Sequence, residues 1–160
     1  MKKCASCGSR ELTATTERHV ITGAGRKFTA TLPAMHCKSC GETFTDATAH
    51  EAVERKAGVL VARSGEVNGD TFRFLRLALG LRAVDVANMF DVAPETVSRW
   101  EQSVRDVDRL AWTTLATMAI DRESGTPTTT EIVLEAVRAP KPLAKAVKVP
   151  TDDGEKGAAE

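Results

Sequence analysis

The chain has 160 residues, with 22 basic and 22 acidic side chains, three histidines and four cysteines. That length holds one ordinary domain or two small ones, and the balanced charge neither demands nor forbids nucleic acid. No apolar run approaches the roughly 18–20 residues of a membrane span, and the opening MKKCASCGS lacks the apolar centre of a secretory signal. A cytoplasmic protein with no membrane partner is therefore expected.

All four cysteines stand in two copies of one device, Cys4-Ala-Ser-Cys7-Gly8 and Cys37-Lys-Ser-Cys40-Gly41. In a reducing cytosol such pairs favour metal over disulfide. Two intervening residues let both thiolates reach one ion. The glycine after each pair relieves the turn and leaves backbone N–H groups free to point at sulfur. Four thiolates make a closed tetrahedral shell with no position open to substrate. One structural Zn2+ held by Cys4, Cys7, Cys37 and Cys40 is expected. The alternatives are rubredoxin-like iron on the same ligands and a redox dithiol, although a thioredoxin-like dithiol wants a βαβ setting that is missing here.

Between the knuckles, Leu12, Val20, Ile21, Phe28 and Leu32 are interspersed with Thr and Arg. This predicts a β-hairpin of roughly Glu11–Ile21 and Lys27–Pro33, turning at Thr22-Gly-Ala-Gly25. So small a β unit has little core, and metal must supply much of its folding energy. Because the cysteines complete the shell, His19 and His36 are read as surface residues. Residues 1–46 thus form a Cys4 zinc ribbon.

Residues 47–69 read as a connecting helix and hinge. Thr48-x-x-Glu51 has the form of a capping box. The helix should run to about Ala62, stopped by Ser64-Gly65, with Asn68-Gly69 as a turn signal. A hinge here would let the ribbon sit in different places. The alternative is a helix packed permanently on one neighbour.

Residues 70–138 read as a helical domain. Asp70 can cap a helix Thr71–Leu79, ended by Gly80, with Phe74, Leu77 and Ala78 inward and Arg73 and Arg76 facing elsewhere. Leu81 to Glu101 reads as two short helices joined at Asp91-Val92-Ala93. Ala87 is small where the helices cross, and Pro94 suits the first position of the second helix. That helix carries Glu95, Thr96, Ser98 and Arg99 outward, as a major groove accepts. Arg105 to Met118 should form a further helix. Its Trp112 and Leu115 are expected at a dimer face, with monomer core as the alternative. Thr128-x-x-Glu131 suggests another capped helix to Val137, and residues 139–160 a disordered tail. The expected fold class is mainly α, with a small N-terminal β zinc ribbon and a C-terminal four- to five-helix helix-turn-helix domain.

The stretch from Leu81 through Ala87, Phe90, Val92, Thr96, Val97 and Ser98 to Trp100-Glu101 resembles the helix-turn-helix of the Xre and lambda-repressor class. It departs from that class at Arg82-Ala83, where a Ser or Thr cap and Gln are usual, at Asp91 for Gly, and at Ala93 for a Ser cap. A missing cap costs about 1 kcal/mol. In that class an Arg on the first helix pairs with the Glu ending the recognition helix. The resemblance therefore implies a structural Arg76–Glu101 ion pair.

Cys4, Cys7, Cys37, Cys40, Gly41 and Glu42 resemble the zinc finger of the MqsA (YgiT-type) antitoxin family. The order of ribbon, connecting helix and Xre-like domain extends that resemblance from Met1 to about Met118. It implies a homodimeric, DNA-binding transcriptional regulator rather than an enzyme: an antitoxin that represses its own operon and masks an mRNA-cleaving toxin with its ribbon. On that reading Arg82 contacts phosphate. Pro94, Glu95, Thr96, Ser98 and Arg99 line double-stranded operator DNA, with Arg99 on a guanine and Glu95 or Ser98 on a neighbouring base. The alternative is a zinc-ribbon interaction adaptor, or a stand-alone regulator with no toxin partner. The helical half is slightly acidic, so DNA affinity must come from a few well-placed cations.

Overall fold

A computed structural model describes residues 3–124 and residue 139. The helix foreseen at Thr128–Val137 and nearly all of the 139–160 tail lie outside the described residues. Three antiparallel strands, β1 (Leu12–Gly23), β2 (Arg26–Cys37) and β3 (Thr43–Thr45), form one sheet in the order β1-β2-β3. Five helices follow: α1 (Ala47–Ser64), α2 (Gly69–Ala78), α3 (Ala83–Met89), α4 (Pro94–Glu101) and α5 (Arg109–Ser124). The fold is mainly α with a small β unit, as the residue pattern indicates.

The hairpin is longer and its turn tighter than expected. Pairing runs from Leu12↔Cys37 to Gly23↔Arg26, leaving only Ala24 and Gly25 between the strands. Both have positive φ, 51° and 68°, the backbone of a primed two-residue turn whose twist matches the flanking strands. Residues 43–45 return along β2 as a third strand, pairing Met35 with Phe44.

Helix starts differ from the sequence reading in an instructive way. Asp46, not Thr48, caps α1: its Oδ1 accepts from the Thr48 N–H at 3.0 Å and the Thr48 hydroxyl at 2.9 Å. Asn68, not Asp70, caps α2, accepting from the Thr71 N–H at 2.9 Å in a reciprocal box. Asn68-Gly69 is therefore a helix entry and not a turn. Gly69 is required there, because a Cβ would stand 2.4 Å from the Trp100 carbonyl oxygen. The loop after α4 extends to Asp108, and α5 starts at Arg109 rather than Arg105.

The core gathers Val61, Phe72, Leu75, Val86, Val97, Trp100, Trp112 and Leu115 from all five helices. The inward face of α2 is thus Phe72, Leu75 and Arg76, while Leu77, foreseen as inward, is exposed. Trp112 and Leu115 are monomer core, not a dimer face. Helix α1, packed on α5, widens the core enough to bury them, and Trp112 Nε1 donates to Thr71 Oγ1 at 3.0 Å.

The hairpin lies along α1 and its tip seats on α2. Ala24 is buried with the helical core, the Phe28 and Phe74 rings lie 5.2 Å apart, and Arg26 is ion-paired with Glu66. A Cβ on Gly23 would stand 2.4 Å from the Phe74 ring. Midway along, the His19 ring meets His50 edge-on at 4.5 Å. Neither expected surface histidine is fully exposed. His19 Nε2 is buried without a hydrogen bond, and His36 Nδ1 lies 3.1 Å from the Thr43 hydroxyl.

Candidate functional sites

The four sulfur atoms of Cys4, Cys7, Cys37 and Cys40 lie within 4.8 Å of one another. They come from two loops with the same local geometry. The Gly8 N–H donates to the Cys4 carbonyl and the Gly41 N–H to the Cys37 carbonyl, each at 2.9 Å. Gly8 and Gly41 have φ of 74° and 76°, left-handed values that a side chain would strain. The first cysteine of each loop is buried and the second exposed. Ser9 and Ser39 hydroxyls join the loops at 2.8 Å.

Cys4 Sγ is 3.7 Å from Cys40 Sγ, and Cys7 Sγ is 3.6 Å from Cys37 Sγ. These separations are far beyond the roughly 2.05 Å of a disulfide. They match the edge of a sulfur tetrahedron, about 3.8 Å when the metal–sulfur bond is about 2.3 Å. Backbone N–H groups favour thiolate in the buried pair. The Cys40 N–H, then the Ser39 N–H, bring the Cys37 thiol down to about 6, and the Cys7 N–H lowers Cys4. Around Cys40 the Glu42 N–H pulls the same way, but the neighbouring thiols and burial outweigh it and push Cys40 up to about 12. Four crowded thiols cannot all ionise unaided; a divalent cation at their centre removes that conflict. The donor set is compatible with a structural zinc site.

The second site is the α3–α4 unit. Asp91 turns the chain with φ of 51°, and the Val92 N–H returns to the Ala87 carbonyl at 3.0 Å. Ala93 precedes α4 with no side-chain cap, and Pro94 occupies its first turn. Val97 and Trp100 are buried, fixing the helix by its inner face. Pro94, Glu95, Ser98, Arg99 and Gln102 are exposed on the other side, and Thr96 is half-buried. Gln102 was missed by sequence reasoning, although it stands one turn beyond Ser98; its Nε2 donates to Ser98 Oγ at 3.0 Å.

Two arginines brace this unit. Arg76 Nε and Nη2 donate to the two oxygens of Glu101 at 2.5 and 3.0 Å, and Nη1 donates to the Leu81 carbonyl at 2.8 Å. Arg76 is therefore inward-facing, contrary to its place in the apolar pattern: its charge is compensated where hydropathy alone would keep it out. Arg82 begins α3. The Asp85 carboxylate accepts from its backbone N–H at 2.9 Å and from its guanidinium at 2.7 and 3.0 Å. That hydrogen bond raises the Arg82 pKa. The arginine still exposes most of its side chain.

Residues 1–122 match the family described as the antitoxin component of a bacterial toxin–antitoxin system, MqsA. Comparisons with curated proteins and with solved structures give no match. The chain belongs to the MqsA antitoxin family, and the match covers the cysteine cluster and all five helices up to Arg122.

Proposed function

We propose that this family member is a cytoplasmic, zinc-stabilised, DNA-binding antitoxin. It binds its operator as a homodimer, represses its own operon, and holds its toxin through the ribbon. The observation that carries the DNA reading is the presentation of α4. Its inner face is anchored by Val97, Trp100 and the Arg76–Glu101 pair, and its outer face offers only Glu95, Ser98, Arg99 and Gln102 beside Pro94. A short helix so held enters a major groove as a rigid body. Arg99, with no ion-pair partner among the described residues, reads guanine O6 and N7. Glu95 accepts from a cytosine amino group, and Arg82 contacts phosphate at the flank. Dimerisation sets half-sites about 34–36 Å apart. Since Trp112 and Leu115 are internal, other residues make the dimer contact. Zinc closes the Cys4, Cys7, Cys37, Cys40 shell and folds the ribbon; the reading assigns the chain no catalysis.

A second reading, a zinc-ribbon adaptor that does not bind DNA, is favoured by the neutralisation of Arg82 by Asp85. One experiment separates them. In a mobility shift on the DNA upstream of its own reading frame, the wild type should bind and Arg99→Ala should lose sequence preference, by about 1–3 kcal/mol. Absence of binding by the wild type would leave the adaptor reading.

A further inference from the structure

We infer that the cavity between the start of α2 and the α4–α5 loop is a phosphodiester site, in which Arg105 and Arg109 grip the DNA backbone beside the groove that α4 reads. The inference rests on the DNA reading above. The cavity measures about 450 Å³ and is lined by Asn68, Gly69, Ser103, Arg105, Asp106 and Arg109.

Three observations carry it. The first is where the loop places its cations. The Arg99 carbonyl accepts from the Val104 N–H at 3.0 Å and the Arg105 N–H at 3.3 Å, with Ser103 reversing the chain at φ of 56°. The loop is thereby folded back over the last turn of α4, and Arg105 leaves the backbone next to the carbonyl of the proposed base-reading residue. The second is that these cations are uncommitted. Among the described residues, Arg76 is paired with Glu101, Arg82 with Asp85, and Arg122 with the Leu79 carbonyl. Arg105 and Arg109 are exposed and take part in no ion pair. Of the nearby acids, Asp108 is held at the start of α5 by the Ala111 N–H at 2.9 Å, and none of Asp70, Asp106 and Asp108 forms an ion pair with either arginine.

The third is the scale of the partner. The major groove is about 12 Å wide, so a helix in it has a sugar–phosphate strand within roughly 6 Å of its axis on either side. A loop folded against the end of α4 meets that strand and not base edges. Its contacts should add affinity without adding sequence information.

The test uses the full chain, fluorescence anisotropy, and two labelled duplexes: the DNA upstream of its own reading frame and a shuffled duplex of equal composition. Binding is measured across a range of salt for the wild type, Arg99→Ala, the double variant Arg105→Ala/Arg109→Ala, and the lysine pair Arg105→Lys/Arg109→Lys. Each phosphate contact contributes about 0.9 to the slope of log K against log salt. The double alanine variant should therefore lose about 1.8 from that slope. It should weaken on both duplexes alike, keeping the wild-type preference. The lysine pair should restore the slope, since a phosphate accepts a point charge. Arg99→Ala should do the reverse, losing the preference and keeping most of the slope. An unchanged slope in a double variant that melts like the wild type overturns the site and leaves the DNA reading intact. No binding by the wild type overturns both.

Discussion

On the proposed zinc reading, removing the metal should destabilise the helical half, although the cysteine cluster belongs to the β unit. The connection is the hairpin tip. Without metal so small a β unit unfolds, and Phe74 then loses the Phe28 ring, 5.2 Å away, while Ala24 leaves the core. An aromatic pair is worth about 0.5–1.5 kcal/mol beyond area burial. Re-exposing part of two phenylalanines adds about 1.5–2.5 kcal/mol on a scale where full burial of one contributes 1.5–3. The Arg26–Glu66 pair, nearly half exposed on both sides, contributes little. The total is about 2–4 kcal/mol, or roughly 10–20 °C in the melting temperature of a domain this size. The assay is built into the chain. Its two tryptophans, Trp100 and Trp112, are both buried among the helices, so their fluorescence follows the helical half alone. Melts with and without chelator should differ by that amount in the wild type. In Phe28→Ala they should coincide, near the metal-free wild-type value. Identical wild-type melts would refute the coupling through the hairpin tip.

Two smaller predictions follow from the α2–α4 region. Glu101→Gln should cost about 3–5 kcal/mol in urea denaturation, because it leaves the Arg76 guanidinium buried without its counter-charge; both side chains are only 11% exposed. A double-mutant cycle with Arg76→Met should return a coupling well above about 0.5 kcal/mol; a smaller value would mean that the pair does not hold α4 in place. Asp91→Gly should stabilise the fold by about 0.5–1 kcal/mol, since Asp91 sits at φ of 51° where glycine carries no Cβ penalty. A lowered melting temperature would contradict that turn geometry.

What was legible in the sequence was local. Cysteine spacing gave the cluster, because two residues between thiols determine which sulfurs can meet. Pro94 and the Asp91-Val92-Ala93 turn gave both ends of the α3–α4 connection, because they act through their own backbone angles. Misreadings arose where one residue type serves two purposes or where the cause is distant. Asn68-Gly69 suits a turn and a helix entry equally, and only the approach of the Trp100 carbonyl decides between them. The short strand at Thr43–Thr45 exists because β2 offers Ala34, Met35 and His36 as partners; three residues carry no period of their own. The inner face of α2 was misassigned because Arg76 is buried by a carboxylate 25 residues away. Trp112 is surplus to a core built from α2–α5 alone, and it is α1, packed on α5 and distant in sequence, that provides for its burial.

Pairing leaves the helical half with slightly more acid than base, but it decides where charge is left at the surface. Charge counts treat every side chain as free, but fields at a surface decay over a Debye length of about 8 Å at physiological salt. What a phosphate meets is the local remainder after pairing. Arg76 spends its charge on Glu101 inside the fold, and Asp108 is committed to a helix N-terminus. Around α4 and the loop after it Arg99, Arg105 and Arg109 remain, beside the acids Glu95 and Asp106, while Arg73 remains on α2; the hydrogen bonds of the α4–α5 loop bring Arg99 and Arg105 together. On the proposed reading, the neutral total keeps the chain from gathering nucleic acid indiscriminately. Attraction is confined to one edge, where it can act only when α4 is already aligned with its groove.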